Sequence, residues 1–148
     1  MKNLKITSLA LLLGLAVIYS CKTDPPPEPS PEEAQTALLV GTWAVSSVTF
    51  DNTARDWAGF SLAFTDGAYT STGSPSGEEG VWKTSGTWQF VGKGTDNVNV
   101  NKFTRDDDVD VSISVIDANN LTLTFNYDEA VNGKISGITG SWVFKMTK

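Results

Sequence analysis

From Gly41 onward, apolar and polar residues alternate along most of the chain, the two-residue period of half-buried β-strands. Val109, Val111, Ile113 and Val115 alternate with Asp110, Ser112 and Ser114. Leu121, Leu123, Phe125 and Tyr127 alternate with Thr122, Thr124 and Asn126, and Trp142, Phe144 and Met146 with Val143 and Lys145. Turn residues punctuate the runs, and no helical period competes with them. Eight strands are predicted, over 42–50, 58–65, 68–73, 80–91, 97–104, 109–116, 121–127 and 140–147.

The phases of these runs predict registers, because directly opposed residues share a face. A two-residue type I′ turn at Asp66-Gly67 opposes Thr65 to Ala68 and Phe64 to Tyr69. A loop at Arg105 to Asp108 opposes Val100 to Ile113 and Val98 to Val115. A three-residue loop, Asp117-Ala118-Asn119, with Asn119 left-handed, opposes Val115 to Leu121, Ile113 to Leu123, Val111 to Phe125 and Val109 to Tyr127. The first strand changes parity between Val45 and Val48, which calls for a bulge at Ser46-Ser47. Short, sequence-adjacent antiparallel strands with one apolar face point to an all-β fold, an eight-stranded up-and-down barrel. A two-sheet β-sandwich is the alternative.

The chain changes character before Gly41. Ser30-Pro31-Glu32-Glu33 is a helix start, with Ser30 as cap, Pro31 at the first helical position and Glu33 closing a capping box. This short N-terminal helix runs to about Val40-Gly41 and reads as a lid or plug at one end of the domain. Lys22 to Pro31 contains five prolines in ten residues. Such a segment forms a polyproline-like spacer of about 3.1 Å per residue, or a looser leash, about 30 Å at full reach.

Met1 to Lys5 carries two lysines, and Leu9 to Tyr19 is an uncharged apolar run too short to span a bilayer. Residues 1–20 therefore read as a signal peptide. Cys21, the chain's single cysteine, follows directly. Ile18-Tyr19-Ser20-Cys21 resembles the lipobox of bacterial lipoproteins, with Tyr19 in place of the commoner small residue. The resemblance implies that Cys21 takes a diacylglycerol and becomes the mature N-terminus, and two or more acyl chains anchor stably. Ordinary secretion with a stray thiol is the other reading. Lys22 and Asp24 loosely resemble the export signal of surface-exposed lipoproteins in some Gram-negative bacteria. They imply an outer-membrane location, lipid-anchored, on the periplasmic or cell-surface face. The domains expected are thus a signal peptide at 1–20, lipidated Cys21 with a proline-rich tether at 21–31, and a barrel domain at 32–148.

The helix leading into Leu39-Val40-Gly41-Thr42-Trp43 and the closing strand with Gly140-Ser141-Trp142 resemble the lipocalin-like domains of Gram-negative bacterial lipoproteins. The resemblance covers residues 32–148, and Gly86-Thr87-Trp88 repeats its Gly-x-Trp motif. It implies a lipocalin-like barrel holding a small, largely apolar ligand.

Charge and chemistry narrow the function. Without Lys2 and Lys5, nine basic residues face seventeen acidic ones, a net −8. That excludes nucleic acid as a partner and argues against electrostatic adhesion to anionic lipid. With no histidine, the commonest general base and the usual zinc ligand are missing. Gly92-Lys93-Gly94 lacks the helix of a phosphate loop. No enzyme, cofactor or metal is expected. Asp106-Asp107-Asp108 with Asp110 reads either as a calcium site or as a solvated hairpin turn, the latter preferred.

Ten aromatics fall on the predicted inner face: Trp43, Phe64, Tyr69, Trp82, Trp88, Phe90, Phe125, Tyr127, Trp142 and Phe144. An interior of that size holds side chains or one small ligand. Candidate ligand-binding residues are Trp57, Tyr69, Trp82, Lys102 and Tyr127. Trp57, off the strand pattern, either folds over the mouth or is exposed to a partner. A small apolar ligand in the barrel is the leading function. A filled barrel contacting an envelope protein through loops such as 51–57 and 73–79 is the alternative.

Overall fold

A computed structural model describes residues 26–128 and 138–148. The expected signal peptide, Cys21 and the Lys22 to Asp24 signal lie outside the described residues.

Helix α1 (Pro31–Leu39) forms as its capping box dictates. The Ser30 hydroxyl accepts from the Glu33 backbone N–H at 3.2 Å, and the Glu33 carboxylate accepts from the Ser30 N–H at 2.7 Å. The Ser30 bonds hold the exposed Glu33 carboxyl below the usual carboxylate range. Nine strands follow: β1 (Gly41–Phe50), β2 (Thr53–Arg55), β3 (Ser61–Thr65), β4 (Ala68–Thr72), β5 (Ser85–Val91), β6 (Asn99–Arg105), β7 (Asp110–Ile116), β8 (Asn120–Tyr127) and β9 (Gly140–Thr147). Every pairing is antiparallel, and β1 pairs with β9 to close the sheet. The molecule is a closed eight-stranded barrel with one extra strand, β2, and one short helix. Closure removes the long open edges a sandwich would keep and leaves the three-residue β2 paired on one side.

Strand β1 bends at the predicted bulge, where its register with β9 shifts between Val45 and Ser47. Its first half pairs with β3 and its second half with β2. The β1–β2 turn, Asp51-Asn52, has φ of 45° and 65°, the paired positive values of a type I′ hairpin. That turn was expected at Asp66-Gly67. There the predicted register holds, Phe64 opposite Tyr69, but only Gly67 has positive φ, so the turn is not type I′.

Three other expectations are corrected. Strand β5 starts at Ser85, so Gly80 to Thr84 belongs to the connection from β4. Val100 does not oppose Ile113. The β6–β7 pairs are Lys102 with Ser112 and Phe103 with Val111, because β6 is irregular: Phe90 opposes Phe103, yet Val91 opposes Asn99. Phe103 and Arg105 thereby turn inward, and Lys102 outward. Between β7 and β8, Val111 opposes Phe125 and Ile113 opposes Leu123 as expected. A bulge then places Ile116, not Val115, opposite Leu121. The Asp117 carboxylate causes this by accepting from the N–H groups of Asn119 and Asn120 at 2.8 Å. The same bonds depress its pKa. Asn119 is not left-handed.

All ten predicted inner aromatics are buried, and Trp57, Phe60 and Phe103 join them. Strand parity in the meander gives the barrel two ends. The proximal end carries α1, the Asp66-Gly67 turn, residues 92–98, the Asp117 turn and the C-terminus. The distal end carries the Asp51-Asn52 turn, residues 73–84 and the Asp106–Asp108 turn. The helix closes the proximal end: Lys93 pairs with Glu32 at 3.7 Å, and Gln35 donates to Asn101 at 3.4 Å.

Candidate functional site

The distal end of the interior combines buried charge, aromatic faces and unpartnered donors. Residues 73–84 leave the sheet after β4 and dip into the barrel, burying Val81 and Trp82 completely. Ser71 anchors the return: its N–H donates to the Thr84 carbonyl and its hydroxyl to the Lys83 carbonyl, both at 2.9 Å. The Trp82 ring meets Tyr69, Phe125 and Phe144 edge-on at 5.5, 5.4 and 6.1 Å between centroids.

Arg105, only 2% exposed, comes from the last position of β6. Its guanidinium lies 4.5 Å above the Trp82 ring, with Phe125 and Tyr69 at 5.7 and 5.9 Å. Nη1 donates to the Val81 carbonyl at 2.8 Å, Nε donates to Asp107 Oδ1 at 2.9 Å, and Nη2 pairs with Asp107 Oδ2. A buried charge needs both a counterion and hydrogen bonds, and Asp107, with its side chain 3% exposed, supplies the counterion. Arg105 thus fastens the inserted segment to the wall.

Two donors close by have no hydrogen-bond partner among the described residues: Tyr69 Oη and Trp82 Nε1. Burial pushes the Tyr69 phenol up to about 12, against the opposing pull of Arg105. Tyr69 fits because it opposes Gly86, where an added Cβ would stand 2.6 Å from the phenol oxygen.

Of the candidate ligand residues, the structure gathers Tyr69 and Trp82 around Arg105. Tyr127 is buried, and a Cβ added at Gly80 of the inserted segment would stand 2.7 Å from its oxygen. Trp57 folds inward: its Nε1 donates to Glu78 at 2.6 Å, and its ring packs on Phe60, Phe144 and Trp142. Lys102 stands apart on the outer wall, paired with Asp110 at 2.6 Å. Hydrogen bonds from Lys102 and then Thr104 lower the Asp110 pKa.

The acidic run is not simply a solvated turn. Asp107 is buried on Arg105, Asp106 lies 3.8 Å from Lys83, and Asp110 pairs with Lys102. Among the described residues, no group of three or more His, Cys, Asp or Glu is placed to hold a metal. A half-open outer groove of about 570 Å3 beside this run is lined by Lys102, Asp107, Asp108, Asp110, Ser112 and Asp128, among others.

Sequence reasoning missed Arg105 and Glu78, and met Asp107 only as part of the acidic run. The one available signal for Arg105 was its parity with Phe103, which the assumed phase of Val98 and Val100 overrode.

The three Gly-x-Trp motifs divide. Trp43 Nε1 donates to the Leu39 carbonyl at 2.8 Å and Trp142 Nε1 to the Ile138 carbonyl at 3.1 Å, each four residues back. Trp88 Nε1 instead reaches the Thr65 and Ala68 carbonyls, both at 3.1 Å, bracing the β3–β4 turn.

No protein-family model matches the chain, and no curated protein or solved structure matches it. The barrel is therefore the extent of the classification.

Proposed function

We propose that the protein is a lipid-anchored envelope lipoprotein, resembling the lipocalin-like class, whose filled barrel is a non-enzymatic recognition module. The observation that carries this reading is the occupied interior. Trp82, where a ligand would lie, is the chain's own side chain, held by the Arg105 bond to Val81. Such a barrel acts as a rigid scaffold, and the distal connections at 51–57 and 73–79 are then the surface offered to another envelope protein. The proline-rich tether joins the barrel to an outer membrane, on its periplasmic or cell-surface face.

Two measurements test it. Native mass spectrometry of protein purified from its own host should return the mass of the lipidated chain alone. A photo-crosslinking residue at Ser76 should capture one defined partner in intact cells. A retained small molecule, with no adduct at Ser76, would overturn the reading.

A second reading, a barrel for a small apolar ligand, rests on Tyr69 Oη and Trp82 Nε1, which have no hydrogen-bond partner among the described residues. Buried donors left unpaired cost about 1–3 kcal/mol each. Withdrawal of the inserted segment would relieve both and open space among aromatic walls. The same mass measurement separates the two readings.

A further inference from the structure

The large apolar side chains left exposed among the described residues are Leu38, Val40 and Val115, at 37%, 38% and 47%. All three sit at the proximal end, two at the close of α1 and one near the end of β7. Half-buried Val98 and Ile116 lie at the same end. Lys148 ties these parts together. Its Nζ donates to the carbonyls of Leu38 and Val40 at 2.9 and 2.8 Å, lies 4.3 Å from the Trp43 ring centroid, and its backbone N–H donates to the Asn119 carbonyl at 3.2 Å. The helix end, the C-terminus and the β7–β8 turn form one braced face.

We propose that this face is a membrane-contact surface, with Leu38, Val40 and Val115 entering the headgroup boundary of a zwitterionic bilayer. The proposal rests on lipidation at Cys21. The occupant follows from where the chain enters. Nine residues separate Cys21 from Pro31, the first residue of the helix at this end. At about 3.1 Å per residue they reach at most about 30 Å. The bilayer is therefore the nearest large apolar boundary to this face. A tether also raises the effective concentration of a second, weak contact, so shallow insertion suffices. The contact is apolar and not electrostatic, since Glu32, Glu33, Asp66 and Asp117 share this end with Lys93 and Lys148.

The test uses the full lipidated chain. Cys21 is the one native cysteine and its thiol carries the lipid, so a cysteine introduced elsewhere takes a fluorophore uniquely. Val115→Cys marks the proximal face and Ser76→Cys the distal one. Each labelled protein is reconstituted into phosphatidylcholine–phosphatidylethanolamine vesicles containing nitroxide-bearing lipid. Quenching should be severalfold stronger at position 115 than at position 76, and Leu38→Glu with Val40→Glu should reduce it. Equal quenching at both positions, in protein that floats with the vesicles, overturns the contact and leaves the anchor standing. Protein that fails to float overturns both. A position-115 label shielded from lipid nitroxide and from aqueous iodide, in a chain that crosslinks as a dimer, assigns the face to a second copy and overturns the proposal.

Discussion

Tyr69 and Arg105 show how differently two buried polar groups are carried. The Tyr69 oxygen is buried without a hydrogen-bond partner among the described residues, so Tyr69→Phe removes an unsatisfied group and keeps the ring. Denaturant unfolding at pH 7 should find this variant as stable as the wild type or more so. The phenol pKa of about 12 lies above its ordinary value of 10.0, so the folded state holds the proton more tightly than the unfolded state. Stability is therefore unaffected by this proton below about pH 10 and falls as pH rises from 10 toward 12, where unfolding frees the phenol to ionise. Wild type should lose more stability than Tyr69→Phe across that window, and parallel stability curves would refute the assignment. Arg105 is the opposite case. Arg105→Leu strands Asp107 in the interior and should cost about 3–5 kcal/mol, with Asp107→Leu added to it recovering much of the loss. A double variant no more stable than the single one in urea would show that packing on Trp82, and not charge pairing, holds the segment.

At the scale of elements, the β7–β8 wall follows from alternation alone. Ile113 faces inward and is 6% exposed, and Ser112 beside it faces solvent. Ile113→Asp should therefore destabilise by several kcal/mol, since it buries an unpaired charge, with Ser112→Asp nearly neutral. Equal melting temperatures for the two would deny this wall a core. The end of the same hairpin departs from the pattern. The carboxylate cap at Asp117 lengthens the turn by one residue, and the bulge that absorbs it sends Val115 outward. The β6 register failed for a related reason. Val98 and Val100 look like inner positions, but Phe103 and the Arg105–Asp107 pair bury more and set the phase.

At the scale of the molecule, the two ends differ in kind. The proximal end is sealed by a capped helix and Lys148, and the distal end by an inserted segment that Arg105, Ser71 and Trp57 hold. If the anchor is at Cys21, Cys21→Ala should abolish membrane fractionation and leave an uncleaved or soluble form. A variant that still partitions with lipid like the wild type would remove the lipoprotein reading.

The alternation of side chains determined the barrel, its inner aromatics and most of its neighbours, because burial of one strand face is a local property with a two-residue period. The capping box at Ser30 and Glu33, and the β1 bulge, were legible for the same reason: both are set within a few residues of chain. The inserted Trp82, the inward turn of Trp57 and the buried Arg105–Asp107 pair were decided by the tertiary structure. The two tryptophans draw their stability from partners distant in sequence, Tyr69, Glu78, Phe125 and Phe144 among them, and the Arg105–Asp107 pair is held by the Val81 carbonyl and the Trp82 ring of the inserted segment. The counterion Asp107 stands two residues from Arg105, but the Val81 acceptor and the Trp82 ring that let the pair be buried come from another part of the chain, and no pattern along the chain announces that meeting.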